Sequence, residues 1–401
     1  MNSTTTLPFA DGDAVGRTLK PSASRSSLRW ITPSIVFGAA CITFGVLWDI
    51  SWHSTIGRDT FWTPAHMVLY MGGTLSGCLA GWLAIEATFL KRDSWRGLSV
   101  NLYGGRAPLG AWVCIWSAIA MLTSAPLDDW WHSAYGLDVK ILSPPHSLLA
   151  LGMYGIATGV VMLVAAQRNR AAAAGQGSEG ALWVVVANAI QLALSSVMLI
   201  ELSFPNVQHT STFAMASAAM YPGFLVAAAR HAPVRWSATK VALGYMLILG
   251  SMVWVLPLFH AEPKLAPIFN RVDHMVPPAF PLLLVVPAIA IDLVFAALRR
   301  RTHWAWTPVR IVSAALLFVG LFLSTQWYFS IFLISPASGN AFFAGHGRFF
   351  SYLGNLEFAG RFMRLTEHPL TSSAVAWSAL IAVASTTVGL GTGSFLSRIR
   401  R

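Results

Sequence analysis

The chain has 401 residues, of which 55% are apolar and 11% are charged, whereas an ordinary soluble domain has about 25% charged residues. Its mean hydropathy is +0.59. A soluble protein of this length cannot bury so much apolar surface, so we expect lipid to be its solvent. The composition excludes a secreted disulfide scaffold, a disordered protein and a cytosolic enzyme. The net charge of +11 does not indicate nucleic acid here, because the basic residues follow a membrane topology.

Residues 1–30 are polar, rich in Ser and Thr, and basic, which predicts a disordered cytoplasmic tail. Apolar runs follow, each about the 20 residues that cross a bilayer. They number ten and lie near 31–50, 65–90, 108–126, 145–166, 181–203, 211–229, 239–259, 277–298, 311–334 and 372–395. Strand-period alternation is absent, so we expect an all-α polytopic membrane protein with about ten transmembrane helices.

The distribution of Lys and Arg sets the expected orientation. Basic residues concentrate in alternate loops and at both ends of the chain, as cytoplasmic segments do. We therefore expect both termini in the cytoplasm of a bacterial-type inner membrane. The chain divides into a four-helix unit over 31–166 and a six-helix region over 181–401. The latter includes an outer segment, 335–371, in which aromatic and charged residues interleave and which includes a candidate interfacial helix.

Two stretches on the expected outer face repeat each other. The first runs from Asp49 to His66 and the second from Asp128 to His146. Asp, Trp, His, Ser, Gly and Asp recur in the same order 79 residues later, and the final His recurs after 80 residues. Each stretch joins an outgoing helix to a returning one. The first four spans are therefore predicted to be a tandem repeat of a two-helix unit.

The spacing within each stretch predicts a metal site. Asp49 and His53 lie on one face of a helix end, and His66 opens the next helix beyond Pro64. The second unit offers the equivalent set, Asp128, His132 and His146. One carboxylate with two imidazoles suits copper, zinc or non-haem iron and leaves positions open for oxygen or substrate. The alternative is an interfacial polar cap, hydrogen-bonded within itself and to water.

At these residues the sequence resembles the C subunit of the copper membrane monooxygenases, the particulate methane and ammonia monooxygenase family. The segment 52–66 is similar to that subunit's block of Trp-His, Arg-Asp-Thr and Thr-Pro-Ser-His, and the resemblance covers roughly 30–165. It implies copper bound by Asp49, His53 and His66. The family's neighbouring Asn/His/His site falls on Asp128, His132 and His146, where Asp replaces Asn.

The resemblance also implies a function and partners. Arg58, Asp59 and the equivalent Asp138 would orient the ligands by hydrogen bonds. The activity implied is that of a copper-dependent monooxygenase, or a subunit of one, which hydroxylates a small apolar or amine substrate with O2. A shorter stretch near 277–298 resembles the family's A subunit, and a B-like copper domain and A-like subunits are the implied partners. Two alternatives are a non-catalytic copper- or zinc-handling membrane protein and a metal-free structural subunit.

Overall fold

The computed structural model describes residues 24–57, 60–90, 99–136, 143–175, 180–232, 234–262, 273–301, 303–343 and 364–400. These residues form ten α-helices: α1 Ser24–Thr55, α2 Pro64–Thr88, α3 Leu109–Tyr135, α4 Pro144–Ala173, α5 Ala181–Ser196, α6 Ser211–His231, α7 Ser237–Val255, α8 Val285–Ala297, α9 Trp306–Leu333 and α10 Ser372–Arg398. Nine helical segments in the described residues are long and apolar enough to cross a membrane, and α8 is shorter. The prediction of an all-α polytopic membrane protein is confirmed.

The first four helices form two antiparallel pairs that pack side by side. In the first pair, Gly38 of α1 lies against Ser76 of α2, and Gly45 lies against Leu69. As residue numbers rise along one helix they fall along its partner, so the pair is antiparallel. The contacts between α3 and α4 and between α2 and α3 follow the same order. Because successive helices reverse direction, the end of α1, the start of α2, the end of α3 and the start of α4 lie at one end of the bundle. We call this the site end.

The sequence repeat extends to the packing between the helices. Gly72 on α2 has no room for a side chain because Ile42 of α1 lies against it. Gly152 on α4 is blocked in the same way by Met121 of α3. These two glycines are 80 residues apart and their partners are 79 apart, which are the offsets of the polar repeat. Close backbone approach at small residues is a common way to join membrane helices.

Three features differ from the sequence-based expectation. The eighth span is helical only over Val285–Ala297, because the prolines of 277–281 leave the preceding residues as buried, irregular backbone. A short antiparallel hairpin, β1 Val100–Leu102 and β2 Gly105–Ala107, precedes α3. Helix α3 continues through Pro126 to Tyr135, so it runs well beyond the predicted span. Most of the outer segment 335–371, including 344–363, lies outside the described residues.

Side chains satisfy the irregular backbone before α8. Non-helical backbone at membrane depth is tolerated only where protein groups take up its hydrogen bonds. The Gln326 side chain of α9 accepts a hydrogen bond from the Leu283 N–H at 3.1 Å. Nearer the site end, the Val276 carbonyl accepts from Ser51 Oγ at 2.5 Å, and the Val276 N–H donates to Thr55 Oγ1 at 2.8 Å. The end of α1 is thereby fixed to the six-helix region.

The contact between α6 and α10 provides a stability test. Gly389 of α10 lies against the backbone of Gly223, so a Cβ there would collide with it, whereas Gly391 has open space. We expect Gly389→Ala to lower the free energy of unfolding by about 1–3 kcal/mol, since the helices must separate to admit the methyl group. Thermal unfolding in detergent measures the effect. Gly391→Ala is the matched control, and equal stability of the two variants would contradict this packing.

Candidate metal centres

The first triad lies between the end of α1 and the start of α2. Asp49 Oδ2 is 3.7 Å from His53 Nε2, one helical turn away. Asp49 Oδ1 is 3.2 Å from the Nε2 atom of His66 on α2. The Asp49 and His66 side chains are 18% and 19% exposed, whereas His53 is half exposed. One aspartate is therefore shared by imidazoles from two helices.

The second triad has the same arrangement between α3 and α4. Asp128 Oδ2 is 3.4 Å from His132 Nε2, and Asp128 Oδ1 is 3.8 Å from His146 Nε2. The three side chains are about one-third exposed. As in the first triad, the two carboxylate oxygens face imidazoles from different helices. The structure thus brings the six sequence-predicted ligands into two groups at the site end.

Hydrogen bonds to backbone carbonyls orient two of the rings. His66 Nδ1 is 3.0 Å from the Thr60 carbonyl, and His132 Nδ1 is 3.1 Å from the Gly136 carbonyl. A carbonyl only accepts, so Nδ1 carries the hydrogen in both rings. In the neutral imidazole the Nε2 atom is then the acceptor nitrogen, and it faces the carboxylate. Two acceptors face each other at this position, and a proton or a metal cation between them removes the repulsion.

The loop before α4 orients the third ring of the second triad. Ser143 caps α4 by accepting a hydrogen bond from the His146 N–H at 3.4 Å, and its Oγ is 2.9 Å from His146 Nδ1. The equivalent Thr63 before α2 accepts instead from the Thr60 N–H at 2.9 Å. That contact fixes the loop whose carbonyl holds His66. In both units, a hydroxyl residue before proline therefore helps to position the histidine ring at the start of the second helix.

One oxygen of each aspartate has no hydrogen bond among the described residues. Asp49 Oδ1 and Asp128 Oδ1 are buried, and neither accepts a hydrogen bond there. A buried acceptor left without a partner costs about 1–3 kcal/mol, and more when it is charged. The cost falls at equivalent positions of the two units. A cation held between the carboxylate and the imidazoles would offset it.

The distances within the triads suit shared ligation better than hydrogen bonding. Two ligand atoms bound tetrahedrally to one ion at about 2.0–2.1 Å lie about 3.3 Å apart, and the aspartate–histidine distances run from 3.2 to 3.8 Å. Within the described ranges, however, no group of three or more His, Cys, Asp or Glu side chains is arranged to hold a metal ion. In the second triad the His132 and His146 ring centroids are 6.4 Å apart. Each aspartate–histidine pair is near ligand spacing, but the three side chains of a triad do not converge on one point.

A glycine ends the helix at the same place in each unit. Gly57 and Gly136 have φ angles of 97° and 85°, which side-chain-bearing residues rarely adopt. The Gly136 carbonyl is the acceptor that orients His132. The proposed orienting residues Arg58, Asp59 and Asp138 lie outside the described residues, so their roles stay predictions.

Sequence reasoning did not find the anchors of the first triad. Ser51 and Thr55 occupy the helix face next to Asp49 and His53, and both bond the backbone of Val276. The partners are more than 200 residues apart in sequence. Small hydroxyl residues in a helix carry no local sign of such a contact.

Comparison with known proteins adds no relative. No model of a known protein family matches the chain, and no curated protein or solved structure matches it significantly. The similarity to the monooxygenase C subunit therefore rests on the motif residues alone.

The Gly136 carbonyl provides a test of ring orientation. We expect Gly136→Ala to weaken metal binding at the second triad about tenfold, because the positive φ would be strained and the His132 acceptor displaced. Isothermal titration with Cu²⁺ measures the affinity. Gly175→Ala is the control, since Gly175 also has a positive φ, 73°, and open space around it but follows α4. Equal losses in the two variants would remove the proposed role of the carbonyl.

Proposed function

We propose that the chain is a copper-binding membrane protein with two metal sites at the site end of the bundle. The observation that carries the proposal is a buried carboxylate oxygen in each unit that accepts no hydrogen bond from the part of the chain that the structure describes. In the first unit that oxygen is 3.2 Å from His66 Nε2, and the Thr60 carbonyl orients this ring. In the second unit it is 3.8 Å from His146 Nε2, and Ser143 lies beside this ring. Packing alone gives no reason to repeat this costly arrangement.

The donor set indicates which ions would bind. Asp49, His53 and His66 would hold one ion, and Asp128, His132 and His146 the other. Imidazole and carboxylate together suit copper, zinc and iron, and affinity for such sites is greatest for Cu²⁺. Three protein ligands leave an open position on the metal. Zinc and iron are the less favoured choices.

The reaction that we propose is an O2-dependent hydroxylation of a small apolar or amine substrate. Copper, when bound, would supply the one-electron chemistry that activates O2. One oxygen atom enters the substrate and the other leaves as water, with two electrons and two protons from an external donor. The chain's residues would hold the site rigid: the aspartates bridge two helices, and the Thr60 and Gly136 carbonyls fix the rings.

The same proposal extends to location and partners. The Lys and Arg distribution favours cytoplasmic termini and places the site end on the periplasmic side of an inner membrane. A donor and a B-like copper domain would then reach the sites from that side, with A-like subunits beside the helices. The structure itself supports contact between apolar helices and a lipid bilayer.

Metal content of purified variants tests the proposal. We expect two equivalents of copper per chain, and one equivalent in His53→Ala and in His132→Ala, because each change removes one ligand from one site. Elemental analysis of monodisperse protein in detergent measures the content. His303→Ala is the control, since His303 is exposed in the loop before α9.

The outcomes separate the alternatives. Unchanged copper in both variants would contradict the assignment of the triads. Two equivalents of zinc that fall in the same way would favour a metal-handling protein without redox chemistry. A folded protein that binds neither ion would indicate a hydrogen-bonded polar cap in a structural subunit.

A further inference from the structure

A large apolar cavity lies beside the first triad. It is an open cavity of about 720 Å³, lined by α1, α2, α7 and the short segments at 256–262 and 275. Its α1 wall consists of Phe44, Trp48, Trp52 and Ile56. These residues recur every four positions and form one face of the helix. The cavity therefore extends along α1 as far as the helix end that carries the triad.

The cavity borders the metal ligands of the first unit. Asp49 and His53 each follow a cavity-lining tryptophan by one residue, so they form the adjacent stripe of α1. On α2, the cavity is lined by Val68, which lies two positions beyond His66 and on a different face of the helix. No residue of α3 or α4 lines this cavity. The two triads, similar in their own geometry, thus differ in their surroundings.

The lining determines the chemistry of a ligand. All lining side chains are apolar except His260 and Glu262, and these two are 66% and 73% exposed at the site end. A cavity of about 150 Å³ lined by apolar side chains already binds benzene. The present cavity is several times larger and lies within the range of sites for ligands of drug size. Such a space suits a bulky apolar molecule.

The wall formed by α7 provides a route from lipid. Val255 and Phe259 line the cavity and are 45% and 59% exposed, so much of their surface is not packed against other residues. The neighbouring Leu258 is 76% exposed. Because exposed apolar side chains of a membrane bundle face lipid, an apolar molecule can pass between them without crossing water. The opposite, polar side of the cavity carries His260, which pairs across a β-bridge with His274.

We propose that this cavity binds a long-chain hydrocarbon taken up from the bilayer. The role of that molecule as substrate rests on the proposed function of the first triad. Its binding does not, because the cavity wall contains none of the metal ligands. The resemblance implies a small apolar or amine substrate, whereas the cavity indicates a considerably larger, uncharged one.

Photolabelling tests the binding. The protein in phospholipid nanodiscs is irradiated with a diazirine derivative of decane, and labelled residues are mapped by mass spectrometry. We expect saturable labelling of α1 and α7 residues in the cavity wall, with n-decane competing for it. Labelling of lipid-facing residues such as Leu247, which is 64% exposed, should rise without saturation.

A cavity-filling variant and its matched control sharpen the test. Val68→Phe places a ring in the cavity, and we expect the concentration of half-maximal wall labelling to rise about tenfold. Val312→Phe makes the same change on α9, where Val312 is 42% exposed, and should leave the labelling unchanged. Ala261→Ser, a small polar change in the same lining, gives a second variant if Val68→Phe does not fold, and should weaken labelling in the same direction.

Three results would overturn the inference. Wall labelling that never saturates would mean that the cavity is continuous with bulk lipid. Saturable labelling in detergent that disappears in nanodiscs would mean that acyl chains of phospholipid occupy it. Equal effects of Val68→Phe and Val312→Phe would remove the cavity from the explanation. Failure of the metal proposal would appear separately, as unaltered protein that binds no copper but keeps the saturable wall labelling.

Discussion

Asp49 and Asp128, at equivalent places in two structural units, each hold one buried carboxylate oxygen beside an imidazole, and among the described residues that oxygen accepts no hydrogen bond. Asp49 and Asp128 lie where an outgoing helix meets a returning one. Local features of the sequence bring the helix ends together at these aspartates. Glycines allow the helices to pack closely, a glycine with a positive φ follows α1 and α3, and a proline begins α2 and α4. The four-helix unit is best understood as a frame that holds two acidic groups against imidazoles. A cation completes such an arrangement.

The two triads consist of the same residue types but differ in what surrounds them. The first triad is the more buried, is anchored to the six-helix region through Ser51 and Thr55, and borders a large apolar cavity. The second is more exposed and contacts none of that cavity. The tandem repeat gives two copies of one motif, and the contacts that each copy makes with the rest of the chain distinguish them. Of the two copies, only the first has the hydrogen bonds to Val276 and the neighbouring cavity that the six-helix region provides.

Much of the fold follows directly from the sequence, because apolar runs of bilayer length dictate helices wherever they occur. The repeat offset was readable for the same reason: polar residues in such a chain are few, so their order stands out. The irregular segment before α8 was less predictable, since its backbone is satisfied by Gln326 and Thr55 from distant helices. The cavity could not be predicted at all, because its walls come from α1, α2 and α7 and no local pattern records that they meet. The motif identified the aspartate and histidine side chains that lie together, but not the carbonyls of Thr60 and Gly136 that orient His66 and His132.

The central claim is that both aspartates share a copper ion with the histidines beside them. An anomalous difference map from crystals of the copper-loaded protein, recorded at the copper absorption edge, tests it most directly. The account predicts two peaks, one about 2.0–2.2 Å from Asp49 and His66 and the other at the same distances from Asp128 and His132. A map without density at either aspartate, or with copper bound only elsewhere in the chain, would contradict it.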